Sequence, residues 1–142
     1  MLISKLVEKV DPTFWDRCSK MDMCDIDEEF MGFTDIYKNL ARIIPKDRIV
    51  IDLGCAYAPQ SVYFVKHKRY IGVDLPHDNT ARVNTTNSTY FEMTIREFIE
   101  KELPKIKDEK VFAICSYVPP WHDDNEQLAK DNFKDLFVYY PR

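Results

Sequence analysis

Two carboxylates with a glycine between them are the residues of this chain best placed to do chemistry. Asp52 and Gly54 stand in "IVIDLGCAYAP" (49–59), and Asp74 closes the apolar run in "YIGVDLP" (70–76). Asp74 follows Gly54 by about twenty residues, the interval at which a carboxylate on the second strand of a βαβ unit reaches both hydroxyls of a ribose. Gly54 supplies the positive φ of a sharp strand-to-helix turn. Ala56 and Ala58 are the next smallest choice, so a ligand can approach the backbone there, and Tyr57 stands between them. Asp52 either orients a cationic group of the ligand through water or caps the turn with hydrogen bonds to its backbone. Cys55 reads as a small packing residue. A pyrophosphate is a poor fit, because it needs bare backbone N–H groups at the helix start. Pro59 has no N–H, and the Asp52 carboxylate would repel phosphate. A phosphate-free ligand carrying positive charge suits these residues better than a dinucleotide.

A second group follows in "ICSYVPPWHDD" (114–124). Tyr117 and His122 are the candidate catalytic side chains, since an imidazole titrates near neutrality and can act as a general base. Pro119, Pro120 and Trp121 would line a flat cleft. His122, Asp123 and Asp124 read equally as an acidic helix start that complements the helix dipole. One His beside two carboxylates, without a second cluster, is not a metal site. The four cysteines (Cys18, Cys24, Cys55, Cys115) form no C-x-x-C pair, so they read as reduced thiols.

The elements that must position these groups alternate along the chain. Leu2, Ile3, Leu6, Val7 and Val10 recur at helical spacing, which predicts a short amphipathic helix over 2–10. A second helix over 30–44 carries Phe30, Phe33, Tyr37, Leu40 and Ile44 on one stripe and ends at Pro45. Five strands then follow at 48–53, 70–75, 88–93, 110–118 and 135–140, most of them apolar runs of the kind buried on both faces. Helices are expected after Pro59, after a Thr94–Glu97 capping box, and over 122–133. This order predicts one α/β domain over 1–142, a Rossmann-like open parallel sheet of about five strands with helices on both faces. A helical extension over 1–45 precedes the core at 46–142. Ligands of such sheets sit at the carboxyl ends of the strands, where strand order reverses. That places 52–58, 74–77, Met93, Thr94 and 116–122 at the expected site.

The net charge of −4, from 20 basic and 24 acidic residues, argues against a non-specific nucleic-acid binder. The short basic run "KHKR" (66–69) reads as charges at a helix end. No apolar run approaches the length needed to cross a bilayer, and "MLISKLVEKVDP" lacks the pattern of a signal peptide. A cytoplasmic protein without a membrane partner is expected.

Residues 48–76 resemble motifs I and II of the class I S-adenosylmethionine-dependent methyltransferases. The first motif, roughly D/E-x-G-x-G-x-G, is matched by Asp52, Gly54, Ala56 and Ala58, and the ribose-binding acid by Asp74. The resemblance extends more loosely over about residues 30–140, in strand order and lengths. It implies S-adenosylmethionine as cofactor. Asp52 and the 54–58 turn, with Tyr57, would hold the methionine portion, and Asp74, with Leu75 beside it, the ribose. Met93 and Thr94 would meet the adenine edge, with Ser116 at the end of the fourth strand. Tyr117 and His122 would shape the acceptor side, and Phe14 and Trp15 would form part of a lid. Members that methylate exocyclic amines carry Asn or Asp before Pro-Pro-aromatic, where this chain has Val118. The family's sheet usually has seven strands, against five expected here. Two functions fit: methyl transfer to an unidentified small-molecule or macromolecular acceptor, or a non-catalytic binding module on the same fold. An exposed fifth strand at the sheet edge would pair a homodimer or a partner chain.

Overall fold

The structure, a computed structural model, describes residues 2–7, 33–76, 82–107, 109–116 and 124–141. Side chains are described for these except at 2–7, 33–35, 116 and 139–141. In chain order the elements are β1 (Leu2–Val7), α1 (Phe33–Ile43), β2 (Ile49–Leu53), a 3₁₀ segment (Pro59–Phe64), β3 (Arg69–Asp74) and β4 (Ser88–Glu92). There follow α2 (Ile95–Lys101), a second 3₁₀ segment (Leu103–Ile106), β5 (Val111–Ser116), α3 (Asn125–Asn132) and β6 (Leu136–Pro141).

The six strands form one sheet in the order β1-β6-β5-β2-β3-β4, and every neighbouring pair is parallel. The expected Rossmann-like α/β sheet is therefore present. From β2 the chain steps outward to β3 and β4, then returns to β5 on the other side of β2. Strand order reverses between β2 and β5, and their carboxyl ends border the crevice where such sheets bind ligands.

Two apolar layers clothe the sheet. On one face Tyr37, Leu40 and Ile44 from α1 and its end, with Phe64 from the 3₁₀ segment, pack on Val50, Tyr70 and Ile114. On the other, Ile95 and Phe98 of α2 and Ala129 of α3 pack on Ile51, Val73, Ala113 and Val138. Alternation along β2 explains the division: Val50 and Asp52 face α1, while Ile49, Ile51 and Leu53 face α2 and α3. All five β2 residues are buried, as a central strand covered on both faces requires.

The structure corrects three expectations. Residues 2–7 form a strand, not a helix, with Leu2 opposite Leu136 and Val7 opposite Pro141. A six-residue pattern with apolar positions at 2, 3, 6 and 7 fits either period, and the open side of β6 supplies the hydrogen-bond partners that decide it. Among the described residues the sheet thus gains a sixth strand, and β6 lies between β1 and β5 rather than at an edge, the edges there being β1 and β4. The helix expected after Pro59 is a 3₁₀ segment of six residues with Pro in its first turn. Helix α1 matches the stripe at Tyr37, Leu40 and Ile44, whereas the side chains of Phe30 and Phe33 lie outside the described residues.

Gly72, in the middle of β3, is a packing glycine. A Cβ there would stand 2.6 Å from Tyr90 Cδ1 and 2.7 Å from Cys55 Sγ, so the missing side chain is the space those two groups occupy. We expect Gly72→Ala to destabilise the protein by about 1–3 kcal/mol through overpacking. An unchanged urea midpoint for that variant would show that Tyr90 and Cys55 move aside freely.

Candidate functional site

The turn that follows β2 is strained in a regular way. Gly54, Ala56 and Ala58 all take positive φ, at 80°, 50° and 58°. Left-handed backbone suits glycine and costs an alanine roughly 1–2 kcal/mol. Such conformations persist only where surrounding bonds over-determine them, and they concentrate at ligand sites. Here the bonds are explicit. Gly54 N–H and Cys55 N–H both donate to Val73 O, at 2.7 and 3.1 Å, and Ala58 N–H donates to Cys55 O at 2.9 Å. Ala56 N–H donates to the Asp74 carboxylate (Oδ2) at 2.7 Å. Leu75 N–H donates to Oδ1 of the same carboxylate at 2.8 Å. These backbone donors are engaged within the protein and do not form a nest for a pyrophosphate.

Asp52 reaches the turn through Gln60 rather than by capping its backbone N–H groups directly. Its side chain points under the turn, fully buried. Oδ2 accepts from Gln60 Nε2 at 2.8 Å and from the Tyr70 hydroxyl, and Oδ1 accepts from the Tyr37 hydroxyl at 3.5 Å. Gln60 Nε2 also donates to Cys55 O at 3.1 Å, which ties the buried carboxylate to the turn backbone. Desolvation raises the Asp52 pKa from its ordinary 3.8 to about 6, opposed by the hydrogen bonds of Tyr70 and Gln60. Burial also pushes the Tyr70 hydroxyl and the Cys55 thiol well up. Cys55 is therefore a neutral packing thiol beside Gly72, in line with the reading of its sequence context.

The remaining expected residues divide. Asp74, Met93 and Thr94 do meet at the carboxyl edge, since Met93 N–H donates to Asp74 O at 2.9 Å. Their side chains are less available than the pattern implied. Thr94 is the N-cap of α2, accepting from Glu97 N–H at 3.0 Å and donating to Glu97 Oε1 at 3.3 Å. Met93 packs on the α2 side of the sheet. Ala58 is buried in the α1-side core, while Ala56 and Tyr57 are half-buried. Leu75 is exposed at the carboxyl end of β3. Cys115 pairs in register with Leu53, so Ser116 stands one position further out, beside Gly54. Tyr117, His122, His77, Phe14 and Trp15 lie outside the described residues.

Sequence reasoning missed four residues here: Tyr37, Gln60, Tyr70 and Arg82. A signal existed for the tyrosines, because a hydroxyl carried into a two-sided apolar layer needs a partner. Arg82 lay in a polar stretch without pattern. Its guanidinium is nevertheless almost wholly buried, donating to Glu92 Oε1 at 2.8 Å and to Leu75 O at 3.0 Å. It thereby clamps the carboxyl ends of β3 and β4 together. Among the described residues no group of His, Cys, Asp and Glu could hold a metal ion, and no helix is long and apolar enough to cross a membrane. No family model, curated protein or solved structure matches the chain. What the fold and turn define is a class: an open, doubly wound parallel sheet with a strained turn at its switch point.

Two expectations follow. Ala56→Gly should stabilise the protein by about 0.5–1 kcal/mol, because it relieves left-handed strain at a half-buried site. Ala58→Gly should be close to neutral, since relief there is offset by the loss of a buried methyl, about 0.8 kcal/mol. Urea denaturation of the two variants checks the contrast. The second expectation concerns pH. Asp52 binds a proton more tightly folded than unfolded, so its contribution to stability falls as pH rises from about 4 through about 6 and is level above that. Against Asp52→Asn, the wild type should lose about 2–3 kcal/mol over that window. Parallel pH profiles of the two proteins would contradict the buried-carboxylate assignment.

Proposed function

We propose that this protein binds S-adenosylmethionine at the carboxyl ends of β2 and β3 and transfers its methyl group to an acceptor whose identity is open. The observation that carries the reading is the turn itself. The three positions that a D-x-G-x-G-x-G motif gives to glycine, 54, 56 and 58, are the three that take left-handed backbone. Two of them are alanine, yet the geometry that glycine would serve is kept. The Asp74 carboxylate binds the middle residue of that turn. A carboxylate oxygen accepts more than one hydrogen bond, so holding Ala56 does not prevent it from holding a ribose hydroxyl. Leu75, exposed beside it, offers an apolar surface to the nucleoside.

The chemistry asks little of the protein. A sulfonium activates its own methyl group, so the protein's task is to bind donor and acceptor in line. Tyr117 and His122 are the candidates for the acceptor side. The setting is cytoplasmic, with Cys55 and Cys115 as buried free thiols. A second reading, a non-catalytic binding module on this fold, is favoured by one observation: the Thr94 hydroxyl is spent on a helix cap, away from an adenine edge.

Thermal unfolding with S-adenosylmethionine, S-adenosylhomocysteine or NAD tests the proposal. At a hundred times Kd an adenosyl ligand should stabilise by about 2.7 kcal/mol, a midpoint shift on the order of 5–10 °C, and NAD should give none. Asp74→Asn should weaken adenosyl binding at least about tenfold by the loss of a charged acceptor. No shift with either adenosyl compound at millimolar concentration would refute the proposal, and a shift indifferent to Asp74→Asn would remove the ribose assignment.

A further inference from the structure

The most unusual group in the described protein is the Asp52 carboxylate. It is fully buried, and its hydrogen-bond partners, Tyr37, Gln60 and Tyr70, are all neutral. A buried charge without a counter-ion is expensive. The cluster lies directly beneath the turn at the switch point, and Gln60 bonds the carboxylate and the Cys55 carbonyl with one nitrogen. A ligand resting on that turn is held at a set distance from Asp52 through low-dielectric protein, where charges act over longer range than in water. The titratable groups around Asp52 are Asp74 at the end of β3, Cys55 in the turn, Tyr90 on β4 and Cys115 on β5; burial first, and the Asp52 charge after it, hold the Cys55, Tyr90 and Cys115 groups above their ordinary pKa. Arg82, the nearby cation, acts on Cys55 and pairs with Glu92.

We propose that the sealed Asp52–Gln60–Tyr70–Tyr37 cluster is what lets this site prefer the cationic sulfonium donor over its neutral thioether product, through the ionised Asp52 carboxylate. The inference rests on the adenosyl-ligand reading above and adds to it the basis of donor-over-product selection. The two ligands share adenine, ribose and amino-acid groups and differ by one methyl and one positive charge. Any contribution of Asp74 to the ribose is common to both. The ratio of their affinities therefore isolates what the site does with the charge. Cation binding favours ionised Asp52, so by linkage the preference is full above the pKa of Asp52 in the free protein and fades as pH falls below it. Between about pH 5 and pH 7 the ligands' own amino and carboxyl groups keep one charge state, so they do not mimic the effect.

The experiment is isothermal titration of the whole protein with S-adenosylmethionine and S-adenosylhomocysteine at pH 5, 6 and 7, without acceptor. In the wild type the preference for the sulfonium, expressed as the ratio of the two Kd values, should rise about three- to fivefold from pH 5 to pH 7, centred near pH 6. Tyr70→Phe removes a donor that favours the ionised carboxylate, so it should move that midpoint to higher pH, an effect that loosened packing alone does not produce. Asp52→Asn, where it folds, should give a low ratio that does not vary with pH. Binding of both ligands with a ratio constant within twofold across this range overturns the inference and leaves the adenosyl reading standing. A pH-dependent ratio whose midpoint ignores Tyr70→Phe assigns the effect to another group and also overturns it. Absence of binding by both compounds at every pH overturns the adenosyl reading, and this inference with it.

Discussion

A single buried carboxylate constrains how the layers of this protein meet. Asp52 sits at the core face of the central strand, where ionisation is costly unless donors surround it. The donors come from three different elements: Tyr37 from α1, Gln60 from the 3₁₀ segment and Tyr70 from β3. Apolar packing of the same elements tolerates small shifts in position, whereas hydrogen bonds weaken steeply with distance and angle. The close bonds from Gln60 and Tyr70 therefore fix the 3₁₀ segment and β3 about the end of β2, while α1 is seated by apolar packing, its Tyr37 hydroxyl standing at 3.5 Å. Phe64 stacks on Tyr70 with ring centroids 5.6 Å apart, and Tyr37 meets the edge of Phe64 at 6.3 Å. The tyrosines that serve Asp52 are thus held by the core they help to align.

The strained turn depends on the same arrangement. Gln60 bonds both Asp52 and the carbonyl of Cys55, and Asp74 bonds the N–H of Ala56. One acid works from below the turn and the other from beside it. Between them they hold two alanines in a conformation that alanine resists. The turn also carries the attachment of β2 to β3 past the last ladder pair, Leu53 and Val73, since Gly54 and Cys55 N–H donate to Val73 O and Ala56 N–H to Asp74. It fixes the shape of the backbone at the reversal point of the sheet.

Much of this was legible in the residues, and the failures have physical causes. Strands β2, β3 and β5 announce themselves because a strand covered on both faces must be apolar throughout. The cap at Thr94 is legible because its geometry is local, set by residues three apart. Residues 2–7 are not, because six residues with a mixed pattern gain little from either local structure, and pairing with β6 decides. The spacing of Gly54 and Asp74 did place the turn and that carboxylate together at one edge of the sheet. It could not say that Asp52 would turn inward among Tyr37, Gln60 and Tyr70. Arg82 was silent, since a buried guanidinium in a polar connection has no periodicity to mark it.

From α1 onward the sequence by itself determined the order of strands and helices, the parallel sheet and the place of the sharp turn, but not the strand at Leu2–Val7. Those follow from hydrophobic periodicity and from the conformational limits of glycine and proline, which are local. Only the tertiary structure decided which side of the turn each carboxylate serves. Asp52 and Asp74 look alike in the sequence, each near the end of an apolar run. One is fully buried among neutral donors, and the other lies at the mouth holding backbone N–H groups. Strand residues two apart share a face, so both acids lie on the α1 side; the difference arises because Asp52 stands within the β2–β3 ladder, opposite Gly72, while Asp74 stands at the end of β3, and because Tyr37, Gln60 and Tyr70 reach Asp52 only once the layers have packed.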